Sequence, residues 1–175
     1  DVRCRAEAPL ETPRGTTPLP HRPIVVGFGP AGMFAALLFA RQGLCPIVLE
    51  RGAPIETRVA QVEGFWSTGA LSTESNVQFG EGGAGTFSDG KLVTRIGDAR
   101  CGFVLEQLAA HGAPPEILYG AKPHIGTDRL RAVVRSIREE IIRLGGEVRF
   151  ETRMEALLLR DGRGCGWRTT AGAIP

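Results

Sequence analysis

The feature that most restricts this 175-residue chain is Gly27-x-Gly29-x-x-Gly32, set between Ile24-Val25-Val26 and the helix-forming run Met33 to Gln42. Glycines at that spacing say little alone, because glycine-rich loops are common; here their setting is informative. Ile24 to Val26 is a short β-branched run suited to a buried parallel strand. Gly43 is a natural helix stop. Pro46-Ile47-Val48-Leu49-Glu50 reads as a second buried strand closed by an acid. Residues 23–50 therefore predict a β-turn-α-β unit. Gly27 permits the tight strand-to-helix turn, Gly29 lets backbone approach a pyrophosphate, and Gly32 with Ala36 lets the helix lie close on the sheet. Pro30 and Ala31 belong to the same candidate binding turn, at a helix N-terminus whose free N–H groups and partial positive charge favour phosphate.

Glu50 is placed to accept hydrogen bonds from ribose hydroxyls, and its charge opposes a 2′-phosphate. Both FAD and NAD use such a unit. Two features favour FAD: Glu50 is followed by Arg51-Gly52, and the next stretch is not the further βα repeat that an NAD-binding dehydrogenase would need. The competing readings are a nucleotide-binding module without catalysis, an NAD-binding dehydrogenase, and a glycine turn that holds no ligand.

Composition narrows the setting. Hydrophobic residues make up 42% and charged residues 23%, with a net charge of +2, which gives no electrostatic argument for nucleic acid or a membrane surface. The longest apolar run, Ala31 to Ala40, falls short of the ~18 residues a membrane span requires. No secretory leader is visible, so the cytoplasm is the default expectation. Cysteines 4, 45, 101 and 165 form no CxxC pair and have no close His partner, so no metal site is expected. Reduced thiols are expected in a chain able to form its own core. The 24 glycines, about twice the usual share, point to tight turns and close backbone approach.

Residues 1–22, interrupted by Pro9, Pro13, Pro18 and Pro20, read as a linker or a truncated N-terminal region. Residues 23–175 read as one partial nucleotide-binding domain, with 52–125 as an inserted loop and helical segment. Helices are expected at Ile55 to Trp66, at Cys101 to His111 closed by Gly112, and after Thr127 or Asp128 as cap, where Leu130, Val133, Val134, Ile137, Ile141 and Leu144 keep helical spacing. Strands are expected at Val148 to Glu151, Ala156 to Leu159 and Cys165 to Thr169, with Asp161-Gly162 as a turn. The expected class is α/β, a Rossmann-like FAD/NAD(P)-binding fold with a parallel sheet and a β-meander, incomplete at its C-terminus.

Three blocks carry a resemblance. The first is Ile24 to Ala36 with Val48-Leu49-Glu50-Arg51-Gly52. The second is Ser75-Asn76-Val77-Gln78-Phe79-Gly80-Glu81-Gly82-Gly83-Ala84-Gly85-Thr86-Phe87-Ser88-Asp89-Gly90-Lys91-Leu92. The third is Lys122-Pro123-His124-Ile125-Gly126-Thr127-Asp128. In these the chain resembles the uncharacterised FAD-dependent dehydrogenases, relatives of the glutathione-reductase-like flavoproteins. The resemblance implies an FAD-dependent oxidoreductase of unassigned substrate. It implies too that Met154 sets its backbone against the adenine, with plain core packing a compatible alternative. The loop 80–90, with Gly83 and Gly85, reads either as a mobile surface loop or as backbone N–H groups presented to the pyrophosphate or flavin, Thr86 and Ser88 adding hydroxyls; the resemblance implies the second. The later Gly-Asp strand end and C-terminal region of related flavoproteins are not present in these residues, which reads as a piece of a longer protein. No closely spaced cysteine pair exists, so disulfide-reductase chemistry is not expected.

The remaining candidates have plainer readings. Lys91 could neutralise phosphate or be a solvated lysine, and His124 could relay a proton or bond to backbone. Catalytic residues are unassigned, as are the substrate and electron partner.

Overall fold

A computed structural model describes residues 10, 12–13, 15–88, 90–94, 97–98, 100–120 and 123–174. Half of the expected linker, with Cys4, and also Asp89 and Lys122, lie outside the described residues.

The chain opens as the glycine pattern requires. Strand β1 (Ile24–Val26) leads through the turn to helix α1 (Pro30–Arg41), and β2 (Ile47–Leu49) follows. Helix α1 begins earlier than its apolar period suggests, because Pro30 occupies the first helical position, where its missing N–H costs nothing. Gly43, at φ +76°, ends it in the left-handed region. Helix α2 (Ile55–Thr68) follows and closes on Gly69, also left-handed. After a long glycine-rich loop with a 3-10 turn at Gly83–Phe87 come α3 (Arg100–Ala110), a second 3-10 turn at Pro115–Leu118, and α4 (Thr127–Arg143). Four strands complete the chain: β3 (Glu147–Arg149), β4 (Met154–Arg160), β5 (Arg163–Thr169) and β6 (Gly172–Ile174).

The class is mixed α/β, with one parallel and one antiparallel three-stranded sheet. In the parallel sheet β2 lies between β1 and β3, and Val25, Val48 and Val148 stand side by side in register. These valines join a core built from Met33, Ala36, Leu37 and Ala40 of α1 and Val133, Val134, Ile137 and Ile141 of α4. The apolar spacing along α4 is thus the spacing of its buried face. Gly32 lies where helix meets strand: a Cβ there would run into the Gly27 carbonyl oxygen and lie 3.3 Å from Val25 Cγ1.

Polar contacts fix the helices to one another. Arg41 of α1 pairs with Glu140 of α4 at 2.9 Å. His111, just past α3, is buried, with Nδ1 2.7 Å from the Gln107 carbonyl and Nε2 2.7 Å from Glu140. Both ring nitrogens face acceptors, so a neutral imidazole can satisfy only one of them.

The start of α4 differs from expectation. Gly126 is its cap and no side chain caps it. Thr127 lies inside the helix, and its hydroxyl donates to the Ser88 carbonyl at 2.8 Å, tying α4 to the glycine-rich loop. The second sheet is an antiparallel meander in which β4 pairs with β5 and β5 with β6. Asp161 and Gly162, at φ +52° and +75°, form the tight turn between β4 and β5. Residues expected as linker also make contacts: Gln42 Nε2 donates to the Thr12 carbonyl at 2.7 Å. Among the described residues no helix is long and apolar enough to cross a membrane.

Candidate functional site

A cleft of about 370 Å³ opens at the carboxyl ends of β1 and β2, where ligands of open α/β sheets bind. It is lined by Val26, Gly27 and Gly29, by Leu49, Glu50 and Arg51, by Gln78, Phe79, Gly80 and Gly83, and by Thr152, Arg153 and Met154.

The three glycines of the turn are bare for different reasons. Gly27 sits at φ +90°, a conformation that suits glycine. Gly32 is bare because the strand leaves no room. Gly29 has ordinary negative φ, and a Cβ there would meet nothing nearer than Gly83 Cα at 3.9 Å. The protein's own packing therefore does not require glycine at position 29. Above it α1 starts without a side-chain cap or an acid in its first turn. The amides of Ala31 and Gly32 precede the first intrahelical bond, from Met33 N–H to the Gly29 carbonyl.

Glu50 continues the ladder beyond β2, its N–H donating to the Arg149 carbonyl at 2.9 Å. Its carboxylate is buried. Oε2 accepts the Phe28 amide at 2.7 Å and Oε1 the Gly52 amide at 2.8 Å. The acid thus clamps the glycine turn to the segment after β2. Gly52 in turn has no room for a Cβ, which would fall 2.5 Å from Gly80 Cα. The amides of Glu151 and Thr152 donate to the Gly52 and Glu50 carbonyls, and this brings Arg153 and Met154 to the cleft.

The glycine-rich loop is held just as closely. Gly82 N–H donates to the Phe28 carbonyl at 2.8 Å, and a Cβ on Gly83 would stand 3.2 Å from Gly29 Cα. The two glycine loops therefore touch. The Arg51 guanidinium lies 4.1 Å from the centre of the Phe79 ring and donates to the Thr73 carbonyl. Glu74 pairs with both Arg51 and Arg153.

Beneath the loop lie buried charges. Arg58 is fully buried, and burial pushes its pKa down to about 10, against the opposing charges of Glu50 and Glu81. Burial likewise raises the Glu81 carboxyl above its usual range. Glu81 Oε2 accepts the Ile55 amide that opens α2, and Arg138 of α4 reaches the same oxygen at 2.9 Å.

The structure brings Gly27, Gly29, Glu50, Arg51, Gly83 and Met154 to one cleft. Pro30 and Ala31 are exposed at the helix start beside it, and Gly32 lies between helix and strand. Gly85 does not line it. Thr86 is fully buried, and its hydroxyl donates to the Glu81 carbonyl at 3.0 Å. The expectation that Thr86 faces a ligand is therefore corrected: the side chain lies inside the loop, and a Cβ on Gly82 would collide with it. Lys91 and His124 are exposed, pair with each other in an isolated antiparallel bridge, and do not line the cleft.

Sequence reasoning missed Arg58, and it gave no individual role to Gln78, Phe79, Gly80, Thr152 or Arg153. Arg58 had a signal: with Ile55 and Val62 it falls on one face of α2, and all three are buried.

No family model matches the chain. It is 60% identical over 149 residues to an uncharacterised protein of Clostridium beijerinckii, a match covering 85% of this chain and 28% of that protein. Among solved structures it resembles the 3-ketosteroid-Δ4-(5α)-dehydrogenase of Rhodococcus jostii RHA1, solved with 4-androstene-3,17-dione, at 18% identity and a TM-score of 0.50. That superposition covers 90% of this chain and 44% of the dehydrogenase. The L-proline dehydrogenase of P. horikoshii matches at 12% identity and a TM-score of 0.44, covering 89% of this chain and 51% of that one. The first of these structural likenesses is one of fold. The chain spans 28% of the length of the curated relative it matches.

Proposed function

We propose that this chain carries the ADP-binding half of the FAD site of an oxidoreductase, on a Rossmann-like FAD-binding fold. The observation that carries the reading is Gly29. It is a glycine whose bareness the protein's own packing does not use, at the uncapped start of α1, facing a cleft. A pyrophosphate over residues 27–32 would fill the space that a Cβ at Gly29 would take, and would meet the Ala31 and Gly32 amides. Gly83, which also lines the cleft, is glycine for reasons of its own, with φ +65° and Gly29 Cα 3.2 Å from where its Cβ would stand.

The donors and acceptors around the cleft suit the rest of the nucleotide. A carboxylate has about four lone-pair sites, and the Phe28 and Gly52 amides take one on each oxygen of Glu50, leaving acceptor capacity for ribose hydroxyls. A 2′-phosphate would meet that charge, and the two arginines that line the cleft, Arg51 and Arg153, are already paired with Glu74. Met154, at the start of β4, lines the cleft, where its backbone would lie against the adenine. FAD supplies two-electron chemistry when bound; the residues of this cleft bind and orient, and none is assigned a proton-transfer role. The fold likeness to a dehydrogenase agrees with this reading.

The test is titration of the natural full-length protein with FAD and, separately, with NADH. Saturable FAD binding with retained flavin absorption after desalting supports the proposal. Binding of NADH without flavin, or of neither, overturns it.

A further inference from the structure

Arg58 is among the largest fully buried side chains in the described structure, and its partners all lie on one loop. Nε donates to the Asn76 carbonyl at 2.9 Å, Nη2 to the Val77 carbonyl at 2.9 Å and Nη1 to the Glu81 carbonyl at 2.5 Å. The stem presses on the same loop: a Cβ on Gly80 would lie 2.5 Å from Arg58 Cδ. The guanidinium stands 4.8 Å from the centre of the Phe87 ring, in the 3-10 turn that follows Gly83. Carbonyls on both sides of Gln78, Phe79 and Gly80 thus converge on one planar head, and those three residues line the cleft.

This arrangement is a costly way to fill space. A buried guanidinium gives up strong hydration, and an apolar side chain of similar volume fills a core at least as well. What an apolar residue cannot do is hold three separate carbonyls in a fixed plane. Lysine cannot do it either, because its ammonium is a compact point donor, whereas the guanidinium presents a rigid fork. Within the loop, Asn76 Oδ1 accepts the Gln78 and Phe79 amides, which shapes the turn locally; Arg58 ties that turn to α2.

We propose that Arg58 is a positioning residue of the nucleotide cleft, fixing Gln78, Phe79 and Gly80 against Gly52 and thereby setting the part of the cleft lining that packs beside Glu50 and Arg51. The proposal rests on the reading of the cleft as a nucleotide site. Arg58 touches no ligand itself; it acts through the backbone it holds.

The test compares Arg58→Lys with Val62→Ala, a change on the same buried face of α2 that removes none of the hydrogen bonds to the loop. FAD affinity, thermal stability and amide exchange at residues 78–80 are measured on the full-length protein. Arg58→Lys should weaken FAD binding by about tenfold or more and speed exchange at 78–80, while Val62→Ala at comparable loss of stability changes neither. Equal behaviour of the two variants overturns the proposal. If wild type takes up no FAD, the cofactor reading fails on its own. Exchange at 78–80 then decides the role of Arg58: faster in Arg58→Lys alone supports it, and equal in both overturns it. Should Arg58→Lys fail to fold, Arg58→Met fills the same buried space with an apolar stem and removes all three hydrogen bonds. Faster exchange at 78–80 in that variant supports the proposal, and unchanged exchange overturns it.

Discussion

Glu50 Oε2 accepts the backbone amide of Phe28 at 2.7 Å, so the acid that ends β2 holds the glycine turn that ends β1. Its other oxygen holds Gly52. On its sequence position Glu50 is a ribose ligand; in the fold it is also a clamp. Glu50→Gln should therefore lose stability as well as affinity. A glutamine amide has one acceptor oxygen, and its NH₂ would face a donor. The expected loss is about 1–3 kcal/mol of stability, the cost of leaving a buried group unsatisfied, together with weaker FAD binding. Thermal melting and FAD titration measured together check this; an unchanged melting temperature would show that the turn holds without the clamp.

Gly29 and Gly32 separate ligand effects from packing effects. Gly29→Ala has room for its methyl group and an ordinary φ, so stability should change by less than about 1 kcal/mol while FAD uptake is lost. Gly32→Ala drives a methyl group into the Gly27 carbonyl, so the protein should lose about 1–3 kcal/mol whether or not FAD is present. Melting curves with and without FAD distinguish the two. Full FAD binding by Gly29→Ala would remove the main support for a pyrophosphate at this turn.

Thr86 should behave as an interior residue. Thr86→Val keeps its shape and removes a bond to the Glu81 carbonyl, which Arg58 also holds. Stability should fall by about 1 kcal/mol, with FAD affinity unchanged. A large loss of affinity at unchanged stability would place the hydroxyl at the ligand instead.

Glu56 predicts an acid-dependent component of stability. The hydrogen bond from Arg138 lowers its pKa below the ordinary 4.5, against a smaller opposing effect of burial. A depressed carboxylate stabilises the fold fully above its unfolded pKa, and that contribution is lost as pH falls through the lower folded value. The stability difference between wild type and Glu56→Gln should be constant above pH 4.5 and shrink below it. Urea unfolding across that range checks the sign; a difference that grows on acidification contradicts it. Because Glu56 is half exposed, the effect should also diminish in high salt.

The sequence alone determined the β1–α1–β2 unit, the buried face of α4 and the turn at Asp161-Gly162. These follow from local rules: the period of apolar residues, the φ that glycine permits, and a proline at a helix start. The same rules placed Gly27, Gly29 and Glu50 at one end of the sheet, because strand ends and helix starts are neighbours in the chain. Only the tertiary structure decided what Glu50, Thr86 and Arg58 do, because each is defined by backbone groups that arrive from elsewhere. The carboxylate of Glu50 meets Phe28, 22 positions away, and Arg58 meets carbonyls 18 to 23 positions away. Thr86 looks like a loop hydroxyl free for a ligand until α4 and Gly82 close over it. A buried polar group must be satisfied by whatever the fold brings within reach, and no spacing rule along the chain identifies that partner.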